Sequence, residues 1–437
     1  MFIMDENTNE SLEKQNSPSW WDGKRIDEIG FAVEFLKENQ LRCYKDSLYD
    51  RNGIVDDDTS IRNAIYRAIR PFVRSNVAAR VGQLLAAVKA ESSSSELNDE
   101  DYFMINVQNG TLDAAGNFSE EMKFCRSRLN VRYDPNAAPP MKFLRFMFDL
   151  FEEDDIPTVQ EYLGYCLLPT NKAQKMLIVI GRGGEGKSTL GSVILKMFGE
   201  SATNGSIYGL ESSRFNTANL EHKLLMIDDD LQLSSLPSTS KLKTLVTADT
   251  PILVERKGIQ PHLADLKCRL IGFGNSTLES LDDTSVGFFR RQIIIRTKQC
   301  ERKVNDPYLA DDMCRELEGI FLWMLEGLQR LMLNNYRFTI SDTTNQNLTE
   351  AMLEANNIPD FIHSNYIMQD HYGAVTASDL YNMYQGWCNV NGEDPLIRKK
   401  FVKFLKESGS RFGMTYAKNI QINGREVRGF IGISFRK

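Results

Sequence analysis

Residues 176–195 read "MLIVIGRGGEGKSTLGSVIL": five apolar residues, a loop crowded with glycine, then Gly-Lys-Ser-Thr and an apolar helix pattern. Few short stretches restrict a fold so strongly. Gly181 to Ser188 fits G-x-x-x-x-G-K-[ST], and the strand before it and the helix after it supply the context that gives the pattern its meaning. Gly181, Gly183, Gly184 and Gly186 allow positive φ, so the N–H groups around Glu185 can wrap a nucleotide's β-phosphate. Lys187 is expected to neutralise β/γ-phosphate charge, and Ser188 to place its hydroxyl on Mg²⁺. The helix opening at Thr189 adds the positive end of its dipole. ATP and Mg²⁺ are the expected ligands.

Further apolar runs without alternation ("LLMI", "RLIGFG" and "QIIIR") are separated by helix patterns. Such runs suit strands buried on both faces, so the expectation is an α/β domain with a parallel central sheet. Forty-one residues after Lys187, "KLLMIDDDLQL" ends its strand in acids. Asp228 is expected to hold the Mg²⁺ shell and Asp229 to polarise the attacking water, at the carboxyl edge of the sheet where ligands bind. Asp230 reads as a solvated neighbour. "RLIGFGNSTL" ends at Asn275, an amide able to reach a γ-phosphate or the lytic water. "DDTSVGFFRRQIIIRT" sets Arg290 and Arg291 directly before the last strand. Arginine stabilises charge on a transferring phosphoryl group, often from a neighbouring subunit.

A chain of 437 residues holds several domains. Residues 18–90 show helical spacing, above all "SIRNAIYRAIRPFVRSNVAARVGQLLAAVKA". "ESSSSELNDED" is a polar break, and "INVQNGTLD" carries an Asn-Gly hairpin signal. "NVRYDPNAAPPM" closes this N-terminal part with a proline-rich turn, and polar "SDTTNQNLTE" (341–350) reads as a boundary. The tail offers a helix, "ASDLYNMYQGWC", a basic helix, "IRKKFVKFLKES", and a hairpin, "YAKNIQINGREVRGFIGISF", the order of a winged-helix domain.

No apolar run reaches the length of a membrane span, and the acid- and amide-rich start is unlike an export signal. Seven cysteines without a C-x-x-C pair suit reduced thiols, so the expected location is cytoplasmic. Net charge is −7, yet from Pro395 to Lys437 eleven Lys and Arg stand against two acids. That basic module is expected to bind duplex DNA through Arg398, Lys399 and Lys400, with Arg425 and Arg428 on the hairpin.

The order and spacing of the loop, acids, amide and arginines resemble the superfamily 3 helicases of small DNA viruses, phages and plasmids, a branch of the AAA+ ATPases. "DTPILVERKGIQPHLADLKCRLIGFGN" is similar to that family's pre-sensor hairpin, which carries a lysine into a ring channel to grip DNA. Lys257 matches that lysine, with Arg256 beside it. Asn275 matches the sensor, and Arg291 best matches the arginine finger, with Arg290 close behind. Within the superfamily the resemblance is to the phage/plasmid and poxvirus-type primase–helicase family, through "INVQNGTLD…LNVRYDPNAAPPMKFLRF…DIPTVQEYLGYCLL" and the tail from about Val375. Two departures stand out. No primase domain is recognisable, and Gly258 stands where some relatives have a second DNA-touching residue.

The resemblance implies an N-terminal α+β module over 1–140, a helical collar over 141–170, an AAA+ ATPase domain over 171–340 and a winged-helix-like domain over 345–437. It implies a replicative helicase of a phage or mobile element, forming a hexameric ring that travels 3′ to 5′ on single-stranded and forked DNA. A separate primase and polymerase would serve it. Two other readings stay open on the sequence: a non-motor DNA-binding switch that uses nucleotide only to set its assembly, and a nucleotide kinase.

Overall fold

The computed structural model describes residues 17–44, 47–50, 53–54, 58–92, 104–121, 125, 127–231, 236–247, 250–257, 259–280, 286–299, 306–354, 357–422 and 424–436. Two compact units emerge. One runs to Pro135 and takes in Phe198–Ser201; the other holds Asn136–Met197 and Ala202–Lys437.

In the first unit, helices Glu28–Asn39, Asp58–Ile69 and Val77–Ser92 bury Phe31, Phe35, Ile65, Leu84 and Val88 together with Trp20. The long helical pattern is thus two helices. Pro71, with fixed φ and no N–H to donate, lies in the break. The polar stretch beyond Ser92 lies outside the described residues until 104. Ile105–Val107 pairs antiparallel with Gly110–Leu112, so Gln108 and Asn109 form the turn and Gly110 opens the returning strand. A Cβ on Gly110 would lie 2.2 Å from the Ser119 carbonyl, which explains the glycine there.

The second unit is built on a five-stranded parallel sheet. Its strands are β1 (Met176–Ile180), β2 (Ala202–Asn204), β3 (Leu225–Asp228), β4 (Arg269–Gly274) and β5 (Gln292–Arg296). Their order across the sheet is β5-β1-β4-β3-β2, every neighbouring pair parallel. All of β1 and β4 is buried, as expected of apolar runs covered on both faces. Helix α1 (Lys187–Phe198) follows β1. A separate antiparallel hairpin, Ile252–Arg256 with Ile259–Ala264, precedes β4.

Helices Met141–Leu150 and Ile156–Tyr165, expected as a collar, belong to this unit, and the second meets the long helix Leu317–Leu333 at two glycines. A Cβ on Gly164 would stand 2.3 Å from the Met324 carbonyl oxygen, and one on Gly327 2.4 Å from that of Gln160. Arg330 ties the pair further, its Nε 2.7 Å from the fully buried Glu161 carboxylate. In an exposed helix Gly→Ala stabilises by up to about 1 kcal/mol. Here the sign reverses: Gly164→Ala forces the helix backbones apart, and we expect a loss of roughly 1–3 kcal/mol in urea unfolding.

The stretch expected as a boundary at 341–350 is instead part of a helix, Asp342–Glu354. Its first buried positions, Thr344 and Asn347, are polar, and among the described residues only Ala351 and Met352 at its far end are buried apolar residues. Thr344 donates to the Asp155 carboxylate at 2.8 Å, and Asn347 donates to the Ile294 carbonyl of edge strand β5 at 3.2 Å. The tail has its own core of Phe361, Leu380, Tyr384, Phe401, Leu405 and Phe430. Helices Ala377–Asn391 and Arg398–Ser408 pack there with a three-stranded sheet in which Arg425–Phe435 lies between Thr415–Ile422 and Ile367–Thr376. The third strand, Ile367–Thr376, exceeds the helix–helix–hairpin pattern read from sequence. Among the described residues no helix is long and apolar enough to cross a membrane.

Candidate functional site

The carboxyl edge of the sheet gathers the loop, the acids and the amide. After β1 the chain turns through Gly183, Gly184 and Gly186 at φ +105°, +85° and +114°. These are conformations an L side chain resists, so the loop shape itself demands glycine. The Gly181 N–H donates to the Gly274 carbonyl at 3.0 Å, fixing the loop's start to the end of β4. Asn275, the next residue, is exposed beside it. Lys187 opens α1 and is nearly buried, with Ser188 exposed and Thr189 half-buried after it.

Lys187 Nζ lies 3.0 Å from the Glu185 carboxylate, which also accepts the Gly183 N–H at 2.8 Å. Burial pushes the Glu185 pKa up, but the Lys187 hydrogen bond and charge, together with the backbone N–H groups of Glu185 and Gly183, outweigh it and hold the carboxyl below the usual glutamate value.

The two strand-end acids face opposite ways. Asp228 pairs in register with Gly272, and a Cβ on Gly272 would meet Leu231 and Ile207. On that face Asp228 is buried, and its carboxylate accepts N–H groups of Ile207 at 2.6 Å and Asp230 at 3.3 Å. Burial, aided by the neighbouring acids Asp230 and Asp229, raises its pKa against those two bonds. On the other face, a Cβ on Gly191 of α1 would meet Phe273 at 3.0 Å and Asp229 Oδ1 at 3.8 Å. Asp229 is exposed and turned toward α1; Asp228, the expected metal ligand, is turned away and already bonded. Asp228→Ala should therefore cost roughly 1–3 kcal/mol of stability by orphaning the Ile207 N–H. Asp229→Ala should leave stability within about 0.5 kcal/mol and, if this edge hydrolyses a nucleotide as the loop motif leads one to expect, lower that turnover on the order of 10²-fold. Paired unfolding and ATPase assays check the split.

The opposite, amino edge holds the arginines. Gln292 pairs with Met176 and Arg296 with Ile180, so Arg290 and Arg291 lie where β1 begins, a strand length of about 16 Å from the loop that follows it. Arg291 is half-buried, and its guanidinium donates to the Gly287 carbonyl one turn back. Arg290 is the exposed member of the pair, whereas Arg291 is the better match to the finger by sequence.

The hairpin is rooted at the same edge. Lys257 stands exposed at its tip, Nζ 5.8 Å from the Phe215 ring. Arg256 is held by Glu221 at 2.8 Å, and Glu221 also takes His262 at 2.6 Å. Arg256 is thus a brace of the hairpin rather than a free cation, and Gly258 lies outside the described residues.

In the tail, a groove of about 1130 Å³ runs between helix Arg398–Ser408 and the hairpin. Arg398, Lys399, Lys403, Lys406, Lys418 and Arg428 line it, against Glu426 as the one lining acid among the described residues. Lys400 and Arg425, expected among the contacts, do not line it. Sequence reading did not single out Lys403, Lys406 or Lys418. For the two on the helix the signal was spacing: steps of four and then three place Lys399, Lys403 and Lys406 on one face.

A family of unknown function (DUF5906) matches residues 179–291, the span from the end of β1 to the arginine pair. A search of the curated proteins finds no match. Among solved structures, the A form apo structure of the NrS-1 C terminal region is 13% identical, with a TM-score of 0.52, covering 94% of this chain and 100% of that one. An apo structure of the same region is also 13% identical over 93% of this chain and 100% of that one, with a TM-score of 0.46. At this identity the likeness is one of fold.

Proposed function

We propose that the chain is an ATP-hydrolysing motor of DNA replication in a phage or mobile element, of the AAA+ superfamily 3 helicase type, acting as a ring on single-stranded and forked DNA. The observation that carries this reading is the division of labour between the sheet's edges. A phosphate nest with carboxylates stands at one edge, and an exposed arginine with a cation-tipped hairpin stands at the other.

The nest suits a nucleotide: three positive-φ glycines shape the loop, and the Gly183 N–H and the Lys187 ammonium already meet one anion, the Glu185 carboxylate. Ser188 and Asp229 are the residues to hold Mg²⁺, which would supply charge neutralisation of the phosphates. Asp228 positions the strand end, and Asn275 is within reach of a terminal phosphate. Arg290 acts on the nucleotide of the next subunit, and Lys257 grips the strand in the channel. The order β5-β1-β4-β3-β2 supports the AAA+ reading of the sheet.

The tail groove holds a DNA backbone. Each phosphate contact adds about 0.9 to the log–log salt slope on duplex DNA, so Lys399→Ala with Lys403→Ala should flatten it by about 2. An unchanged slope, in a filter-binding series, counts against the groove.

The alternative, a non-motor assembly switch, has no use for an exposed lysine at a hairpin tip. The deciding experiment is ATPase with and without single-stranded DNA, beside strand displacement on a forked duplex. Stimulation with displacement supports the motor; hydrolysis that ignores DNA and displaces nothing supports the switch.

A further inference from the structure

Three side chains converge beside Gly181. A Cβ placed there would lie 2.3 Å from the Thr297 hydroxyl oxygen, 2.8 Å from Lys187 Nζ and 3.1 Å from the Glu185 carboxyl carbon. Only a glycine there lets a hydroxyl, an ammonium and a carboxylate crowd together against the start of the loop. Thr297 follows β5, and its N–H donates to the Ile180 carbonyl at 2.8 Å, which sets the residue against the loop leaving β1. The Thr297 hydroxyl is enclosed and has no hydrogen-bond partner. A buried donor in that state costs free energy until a partner arrives.

Glu185 already occupies the neighbouring donors. Its two carboxylate oxygens accept the Gly183 N–H at 2.8 and 2.9 Å, and one pairs with Lys187. Both side chains of this pair are nearly enclosed, at 8% and 9% exposure. The carboxylate thus holds the backbone N–H and the ammonium that a phosphate in this nest would need. Two anions cannot share them without strong repulsion.

We propose that Glu185 is an internal stand-in for a phosphate, displaced when a nucleotide enters, and that the Thr297 hydroxyl completes the vacated subsite. The inference rests on the nucleotide reading of the loop and adds two things to it: a competitor built into the chain, and a phosphate-binding residue from the end of β5. Binding becomes an exchange of anions. Lys187 passes from carboxylate to phosphate, Glu185 moves out toward solvent, and Thr297 donates to the incoming oxygen.

The two residues therefore carry opposite signs. Glu185→Gln keeps the side-chain length but removes the competing charge, and should tighten binding by about tenfold or more. Thr297→Val keeps the shape but removes the hydroxyl, and should weaken binding by a similar factor, with Thr297→Ser restoring it. Calorimetric titration with ADP and with pyrophosphate reads both, after melting curves show that each variant is folded. Pyrophosphate should show the same two shifts, because the subsite recognises phosphate alone. Wild-type binding with an unchanged or weakened Glu185→Gln overturns the stand-in, and an unchanged Thr297→Val overturns the subsite. In either case the nucleotide reading survives. If neither ligand binds the wild type or any variant, the nucleotide reading falls and this inference with it.

Discussion

Lys257→Ala is expected to abolish strand displacement and DNA stimulation of ATPase while leaving hydrolysis without DNA largely unchanged. The reason is positional. The hairpin Ile252–Ala264 leads through Asp265–Cys268 into the amino end of β4, whereas the phosphate nest lies at the carboxyl end of β1. Lys257 sits at the hairpin tip with its ammonium near Phe215, and the residue before it is pinned to Glu221. That brace makes the tip a stiff lever, so removing its charge takes away grip without loosening the hairpin. Each lost phosphate contact lowers the salt slope on single strands by about 0.7, or about 4 for a ring of six. Basal ATPase, DNA-stimulated ATPase and the salt dependence of strand binding, measured on one preparation, check the prediction. Normal unwinding by a variant whose basal ATPase has fallen would remove Lys257 from the channel.

The sheet was legible in the sequence because burial on both faces leaves unbroken apolar runs, and β1, β3, β4 and β5 each carry one. β2, three residues reading Ala-Thr-Asn at the sheet's border, has no such run to show. The helix over 342–354 escaped because over 341–350 its buried side chains are Thr344 and Asn347, satisfied by Asp155 and a β5 carbonyl, while its buried apolar residues, Ala351 and Met352, come only at the far end. Strand Ile367–Thr376 escaped for a related reason: among ten residues only Ile367 and Val375 are buried.

At the site, motif spacing located the residues but not the directions they face. Adjacent acids at a strand end point to opposite faces by the two-residue period. Which of Asp228 and Asp229 meets α1 depends on the register with Gly272, and that is a tertiary fact. Thr297 carries no motif at all. It matters only because β5 lies next to β1 and delivers its hydroxyl to the loop.

We propose that the nucleotide site is shared between copies of the chain. Within one copy the arginines directly precede β5 and the nest directly follows β1, separated by about 16 Å of strand. An arginine there cannot serve its own nucleotide, so it serves a neighbour's or none. Removing a trans-acting arginine commonly costs about 10³-fold or more in turnover while nucleotide still binds. Arg290→Ala should show that loss. Arg291→Ala should mainly disturb the turn it holds through the Gly287 carbonyl, because its guanidinium is engaged there. Lys187→Ala should be inactive for a different reason, the loss of its phosphate contact. Mixing Lys187→Ala with Arg290→Ala creates interfaces where an intact Lys187 faces an intact Arg290. ATPase against mixing ratio, in assemblies shown by native mass measurement to contain both chains, is the measurement. A shared site gives a maximum at intermediate ratios, above the activity of either variant alone. A flat line in verified mixed assemblies contradicts it.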